Sequence, residues 1–351
     1  MSTMTKRQKT FGTVNLALVA LTALAAWGLS FVCNTLATQK AADAWRGESE
    51  MRFAQVSVFQ PTEGALRLED VETFRQTLDG AMTEASLVAE ENGRLFADAF
   101  SYSTRLSVSS EKTSVETVAI AVGGDYFLFH PLKLRSGSYL TANDAMRDRV
   151  VLDEELAWAL FGSVDVAGMS VQIGGRTYPI AGVVSREDDF ASKQAYTAGA
   201  GLFICHEALA QNGEANISCY EVVLPDVVSG YGINLVREKF PVSGGVIVEN
   251  SARYDFAPLM QVIGSFGTRS MSTQGVVFPY WENAARMTED YAAALLLLVL
   301  MLAIVPAVTI CAVIVWLVKI YGKRGFAAVC DGIERKIEER KEKNYEKTSD
   351  R

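Results

Sequence analysis

Two histidines, five cysteines and the acidic run Glu187-Asp188-Asp189 are among the side chains with most chemistry to offer in this 351-residue chain. His206-Glu207 opens like a zinc-protease helix, but the second histidine it needs is Ala210. His130 precedes Pro131 in an apolar stretch and reads as a structural histidine. Glu187-Asp188-Asp189 could meet a hard cation such as calcium. The Asp-x-Asp-x-Asp spacing of a calcium cage is missing, so a solvated loop is the better reading. There is no Gly-x-Ser-x-Gly elbow to expose a nucleophile. Gly322-Lys323-Arg324 lacks both the upstream glycine and the hydroxyl of a phosphate-binding loop. Gly199-Ala200-Gly201 lacks the third glycine of a dinucleotide loop. The expectation is a protein that is not an enzyme, with no cofactor and no metal.

Of the cysteines, Cys33 and Cys311 fall in or beside apolar runs, and Cys330 lies in a charged tail. Cys205 and Cys219 share the central region, where a disulfide is permitted if that region faces an oxidising compartment. The alternative is two buried thiols in neighbouring strands, and the spacing leaves both open.

The elements that would position these groups begin with two apolar runs. Hydrophobic residues make up 49% of the chain, and the excess is concentrated in those runs. Residues 11–33 carry no charge and as a helix extend about 34 Å, enough for a hydrocarbon core of about 30 Å. Lys6, Arg7 and Lys9 precede them, which keeps residues 1–10 in the cytoplasm. A cleaved signal peptide is the alternative, but the apolar stretch is longer than a usual signal core. Residues 291–318 would extend about 42 Å, so this helix should tilt or kink, with Pro306 the natural kink point. Lys319, Lys323 and Arg324 follow at once. Both termini are therefore expected in the cytoplasm and residues 34–290 outside it, as a multi-pass protein of the cell membrane. In the cytoplasmic tail, 319–351, Phe326, Val329, Ile333 and Ile337 sit at helical spacing. They would make a short amphipathic helix that contacts a cytoplasmic ATPase or the membrane surface; a charged stop-transfer tail is the alternative. A formal charge of -8, with basic groups gathered at the two tips, argues against a nucleic-acid partner.

Residues 34–50 are expected to continue the first helix. Residues 53–59 alternate as a strand and 68–82 follow helical spacing. Strands are expected at 84–88 and 94–106 around Asn92-Gly93, and at 115–122. Arg135 to Leu140 is turn-like. A short helix at 154–161 ends at Gly162. Residues 171–173 and 178–184 form a hairpin about Gly174-Gly175. Further strands fall at 201–204, 218–224 and 246–248, with a helix at 227–240. This is an α+β pattern of mixed sheets with helices and no regular βαβ repeat.

The most informative stretch runs from Val122 to Val184. It reads Val122-Gly123-Gly124-Asp125-Tyr126-Phe127, Leu134-Arg135-Ser136-Gly137-Ser138-Tyr139-Leu140, Val150-Val151-Leu152, Leu160-Phe161-Gly162, Val166-Ala167-Gly168-Met169-Ser170-Val171-Gln172-Ile173 and Ile180-Ala181-Gly182-Val183. The order and spacing of these pieces, behind one N-terminal membrane helix, resembles the MacB-like periplasmic core domain found in permease subunits of mechanotransmissive ABC transporters. The resemblance implies a smaller inserted subdomain at about 121–214 and a larger membrane-proximal one around it. It implies mechanical work, coupling membrane helices to an extracytoplasmic partner, with an ABC ATPase, permease subunits and a homodimer as possible associations. Transporter members carry four membrane helices with the domain between the first and second. Two are found here, so transport by this chain alone is not expected. A two-helix sensor or binding module, whose outer domain binds an envelope ligand or protein, is the other function class this topology allows.

Overall fold

The computed structural model describes residues 6–61, 66–89, 93–196, 200–210, 217–242, 244–269, 272–273 and 276–349, with the backbone alone from residue 320 onward. The chain forms two compact units, Met1–Leu29 with Leu295–Arg351, and Ser30–Ala294.

The first unit is helical. Helix α1 covers Lys6–Cys33, and the last helix of the chain, Tyr280–Ser349, passes through this unit. The stretches Lys9–Cys33 and Tyr280–Lys319 are long and apolar enough to cross a membrane. Their apolar side chains, Leu16, Leu24, Ile304 and Val308 among them, are exposed. The hydroxyls of Thr13, Thr22 and Thr309 bond back to carbonyls four residues earlier, which satisfies them within the helix. Helix α1 stops at Cys33 rather than running on to residue 50. Asn34 and Thr35 turn their side chains back onto the carbonyls of Ser30 and Phe31, and Lys40 Nζ donates to Asn34 O at 2.7 Å. A 3-10 turn at Ala37–Gln39 and helix α2 (Ala41–Arg46) follow.

The second unit is built on one mixed sheet of ten strands. In chain order its elements are β1 (Phe53–Phe59), α3 (Leu68–Glu84), β2 (Ala97–Ser109), β3 (Ser114–Gly124), α4 (Tyr126–Phe129), β4 (Lys133–Gly137), β5 (Val150–Asp153) and α5 (Glu154–Phe161). Then come β6 (Ser170–Ile173), β7 (Arg176–Ser185), α6 (Phe190–Ala195), β8 (Ala200–Cys205), α7 (His206–Ala210), β9 (Cys219–Pro225), α8 (Tyr231–Lys239), β10 (Val246–Glu249), α9 (Phe256–Gly264), the small pair β11 (Ser272–Thr273) and β12 (Val276–Val277), and α10 (Tyr280–Ser349). The strand order is β10-β1-β9-β2-β3-β8-β5-β7-β4, with β6 beside β2 and β7. The expected α+β fold of mixed sheets with helices is borne out, with β11–β12 as a separate two-stranded sheet. Strands β4 to β8, from residues 133–205, occupy one end of it, and the long hairpin β2–β3 runs into both ends.

Each face carries its own core. Helix α3 buries Val71, Phe74, Leu78 and Met82 at spacings of three and four, against β1, β9 and α8. Asp70 accepts the Arg67 N–H at 2.8 Å and closes its first turn. The opposite face holds Phe59, Tyr126, Phe129, Phe203 and Trp281. Helix α5 covers the far end with Leu156, Ala157 and Leu160. Asp153 caps it by accepting from Leu156 N at 2.7 Å, and Gly162 ends it with a left-handed φ of 71°.

Several expectations change. β1 does not alternate between core and solvent: Gln55 and Ser57 are as buried as Val56 and Val58, because both faces of this central strand are covered. Residues 84–88 close α3 and carry no strand; the hairpin forms instead around 110–113, where Ser110 N donates to Thr113 O at 2.8 Å. Asn92 lies outside the described residues. The turn-like Arg135–Gly137 is part of β4, and α8 starts at Tyr231, after Gly230 at φ 85°. Cys205 and Cys219 are free buried thiols. They sit in one row across the sheet, Cys219–Ser101–Val122–Cys205, so three strand steps separate them. At about 4.8 Å per step that is roughly 14 Å, twice the reach of a disulfide.

Candidate functional site, a buried clamp on the first turns of the last helix

The first turns of α10 read Tyr-Trp-Glu-Asn-Ala-Ala-Arg-Met-Thr-Glu-Asp. Glu282 and Glu289 are seven apart, two helical turns, and so share a face. Arg253, in the turn after β10 and only 4% exposed, fits between them. Its Nη2 donates to Glu282 Oε1 at 2.5 Å and its Nε to Glu289 Oε1 at 2.5 Å. Its Nη1 donates to Asn250 Oδ1 at 3.2 Å and to Gln39 Oε1 at 3.3 Å. Arg269 takes the other Glu289 oxygen and also bonds Asp290. Burial by itself pulls an arginine pKa down, but the fields of Glu282 and Glu289 more than offset it and hold Arg253 above its ordinary value. The guanidinium is a permanent charge, locked at the meeting point of the β10 turn, the segment after α1, and α10.

A chain of hydrogen bonds leads from this arginine into the sheet. Asn250 Nδ2 donates to Ser57 Oγ at 2.7 Å, and Ser57 Oγ donates to Glu221 Oε1 at 3.0 Å. Ser57 and Glu221 are direct cross-strand partners on β1 and β9. Glu221 Oε2 lies 2.6 Å from His130 Nε2, whose N–H donates to it. The His130 ring packs 4.5 Å from Trp281 of α10 and 4.3 Å from Tyr126. The path therefore leaves α10 at Glu282, crosses two strands and returns to α10 at Trp281. His130 is structural, as its context suggests, and fully buried. Gln55 of β1 adds a second tie: its Nε2 donates to Thr38 O at 2.7 Å, and its Oε1 accepts from Ala41 N at 3.0 Å.

The acidic run belongs to the same clamp. Glu187 is half-buried and accepts hydrogen bonds from the phenols of Tyr196 and Tyr280, whose rings stack 4.2 Å apart. Burial first, and then the neighbouring Glu187 carboxylate, push the Tyr196 phenol upward. Asp189 caps α6 by accepting from Ser192 N at 2.9 Å, which leaves only Asp188 as a solvated carboxylate. Ala191 and Ala195 of α6 pack against Leu36, Ala284 and Ala285. So the far end of the sheet, through α6, also grips α10.

The carboxylates of Glu282, Glu289, Glu221 and Glu187 accept from guanidinium, imidazole or hydroxyl donors, and both Arg253 and Arg269 are held by carboxylates. The candidate partner-contact and cysteine residues lie elsewhere. Phe326, Val329, Ile333 and Ile337 fall on the α10 backbone, with side chains outside the described residues. Cys205 donates to Glu207 Oε2 at 2.8 Å on its own strand end. Sequence reasoning missed Glu282, Glu289, Asn250, Glu221 and Trp281. One signal was present: two acids seven apart, just before a run of 28 residues without charge.

The profile of the MacB-like periplasmic core domain matches residues 13–224. Among solved structures, the periplasmic region of MacB from Actinobacillus actinomycetemcomitans is similar, with 17% identity, 66% of this chain and 100% of that chain covered, and a TM-score of 0.41. The extracellular domain of the ABC-type transporter YknZ from Gram-positive bacteria is similar too, with 13% identity, coverage of 54% and 92%, and a TM-score of 0.37. No curated protein sequence matches significantly.

Proposed function

The chain belongs to the MacB-like periplasmic core domain family, and from that premise we propose that it couples movement of its membrane helices to an extracytoplasmic partner, within an ABC transporter or a related cell-envelope complex, without catalysing a reaction itself. In this reading α1 and α10 cross the membrane, both termini are cytoplasmic, and residues 34–290 face outward. The region at about 121–214 is the smaller subdomain, and an ABC ATPase, permease subunits and a second copy of the chain are the associations. The observation that carries it is the unbroken buried path Glu282–Arg253–Asn250–Ser57–Glu221–His130–Trp281. A helix held only by apolar contacts could slide past its domain. A helix held by buried charges must take the domain with it, because separating Arg253 from either carboxylate strands a charge out of water.

Gentle detergent purification of the full-length tagged chain from its host tests the partner. An ABC ATPase recovered in stoichiometric amount, and lost on deletion of residues 325–351, is the expected result. Recovery of a kinase or an envelope protein with no ATPase would move the domain to the sensor and binding class.

A further inference from the structure

Residues 256–268, which include α9, contain no charged side chain. A water-facing helix would carry charge on its outer face. Here that face shows Phe256, 61% exposed, and Met260, 40% exposed, one turn apart, with Phe266 exposed beyond them. Leu259 alone is buried. Both ends of this uncharged segment are tied to one residue: Arg253 before it and Arg269 after it each bond Glu289. Glu289 and Asp290 are the last charges before the uncharged run 291–318. The residues that flank the segment are thereby anchored two positions before α10 becomes wholly apolar. A second element meets the first residue of that run. Phe190, at the start of α6 and 61% exposed, lays its ring 5.7 Å from Tyr291.

We propose that α9 is an interfacial helix that lies in the phospholipid headgroup region, with the Phe256–Met260 face and the Phe190 ring set among the upper acyl chains. An uncharged helix with aromatic residues on its outward face gains by entering that boundary, to a depth of about 5–10 Å. Aromatic rings at the ends of membrane spans favour the same zone. Continuity selects lipid over other occupants: both ends of the uncharged segment are anchored on Glu289, two residues before the apolar run 291–318. The contact seats the domain on the bilayer. It rests on the reading that α10 crosses the membrane.

Photocrosslinking of the full-length chain tests this. The variants Phe256→p-benzoylphenylalanine and Phe190→p-benzoylphenylalanine are reconstituted in vesicles of phosphatidylethanolamine and phosphatidylglycerol, irradiated, and their adducts weighed by mass spectrometry. Met301 within the span and Trp158 on α5, both exposed, serve as references. The expected result is phospholipid adducts at 190, 256 and 301, and none at 158. Lipid at 301 with none at 256 overturns the proposal and leaves the span intact. A protein–protein adduct at 256 overturns it in favour of a second copy. Absence of lipid at 301 sinks the membrane reading of α10, and this proposal with it.

Discussion

At the scale of single residues, the clamp turns on one buried cation. Arg253→Met strands two carboxylates away from water, and it should lower stability by about 3–5 kcal/mol, read as a drop in the thermal midpoint of the detergent-solubilised protein. Adding Glu282→Gln and Glu289→Gln to that variant should recover most of the loss, since no unpaired charge then remains. If the triple variant is as unstable as the single one, packing rather than charge holds the site. The thiol of Cys205 gives a pH test. Burial, and then the neighbouring Glu207, push it up to about 11. An acid whose folded pKa is raised contributes stability that is fully present below its unfolded value of about 8.5 and is lost as pH rises through the folded one. The melting temperature should therefore fall between about pH 9 and 11, and Cys205→Ser should flatten that fall. Little of this was legible beforehand. Arg253 lies in a polar turn, and its carboxylate partners lie in α10, where no local spacing links them to it. Glu221 reads as an ordinary strand glutamate until Ser57 and His130 close around it.

Among the elements, those with local punctuation were readable and those defined by distant partners were not. Helix α5 was legible end to end, because Asp153 supplies the cap and Gly162 the left-handed stop. The β6–β7 hairpin was legible from Gly174-Gly175, both at positive φ. The false strand at 84–88 came from a turn signal at Asn92-Gly93 that outweighed the C-terminal end of α3. Strand β4 went unseen because its register is set by β7, with a bulge between Leu134 and Ser136. Two glycines separate conformational from steric demand. Gly162 has φ 71° and open space around a would-be Cβ, so Gly162→Ala should cost about 1 kcal/mol. At Gly137 φ is 73°, and a Cβ would lie 2.1 Å from Ala181 O, so Gly137→Ala should cost about 3 kcal/mol or more and loosen the β4–β7 edge. Urea titration of the two variants side by side checks the order.

For the molecule as a whole, the sequence order of β5 to β8 made one end of the domain legible, while the sheet that joins it to the rest was not. β2 pairs with β9 at Ala97–Ser101 and with β6 at Val108–Ser109, so one strand serves both ends. The domain should therefore unfold in one transition, with hydrogen-exchange protection of β5 and β1 lost together; a separate early loss of β5 would show that the ends are independent. The same topology also bears on how the chain is made. Strand β1 is among the first to emerge after α1, yet its two neighbours are β9 and β10, near the end of the domain. Through most of synthesis, a strand rich in buried side chains has both edges open and nothing to pair with. Such long-range pairing is slow and prone to aggregation. The nascent domain is thus expected to need a holding chaperone until β10, ending at Glu249, has been made, and pulsed exchange during refolding should find the amides of β1 among the last to be protected.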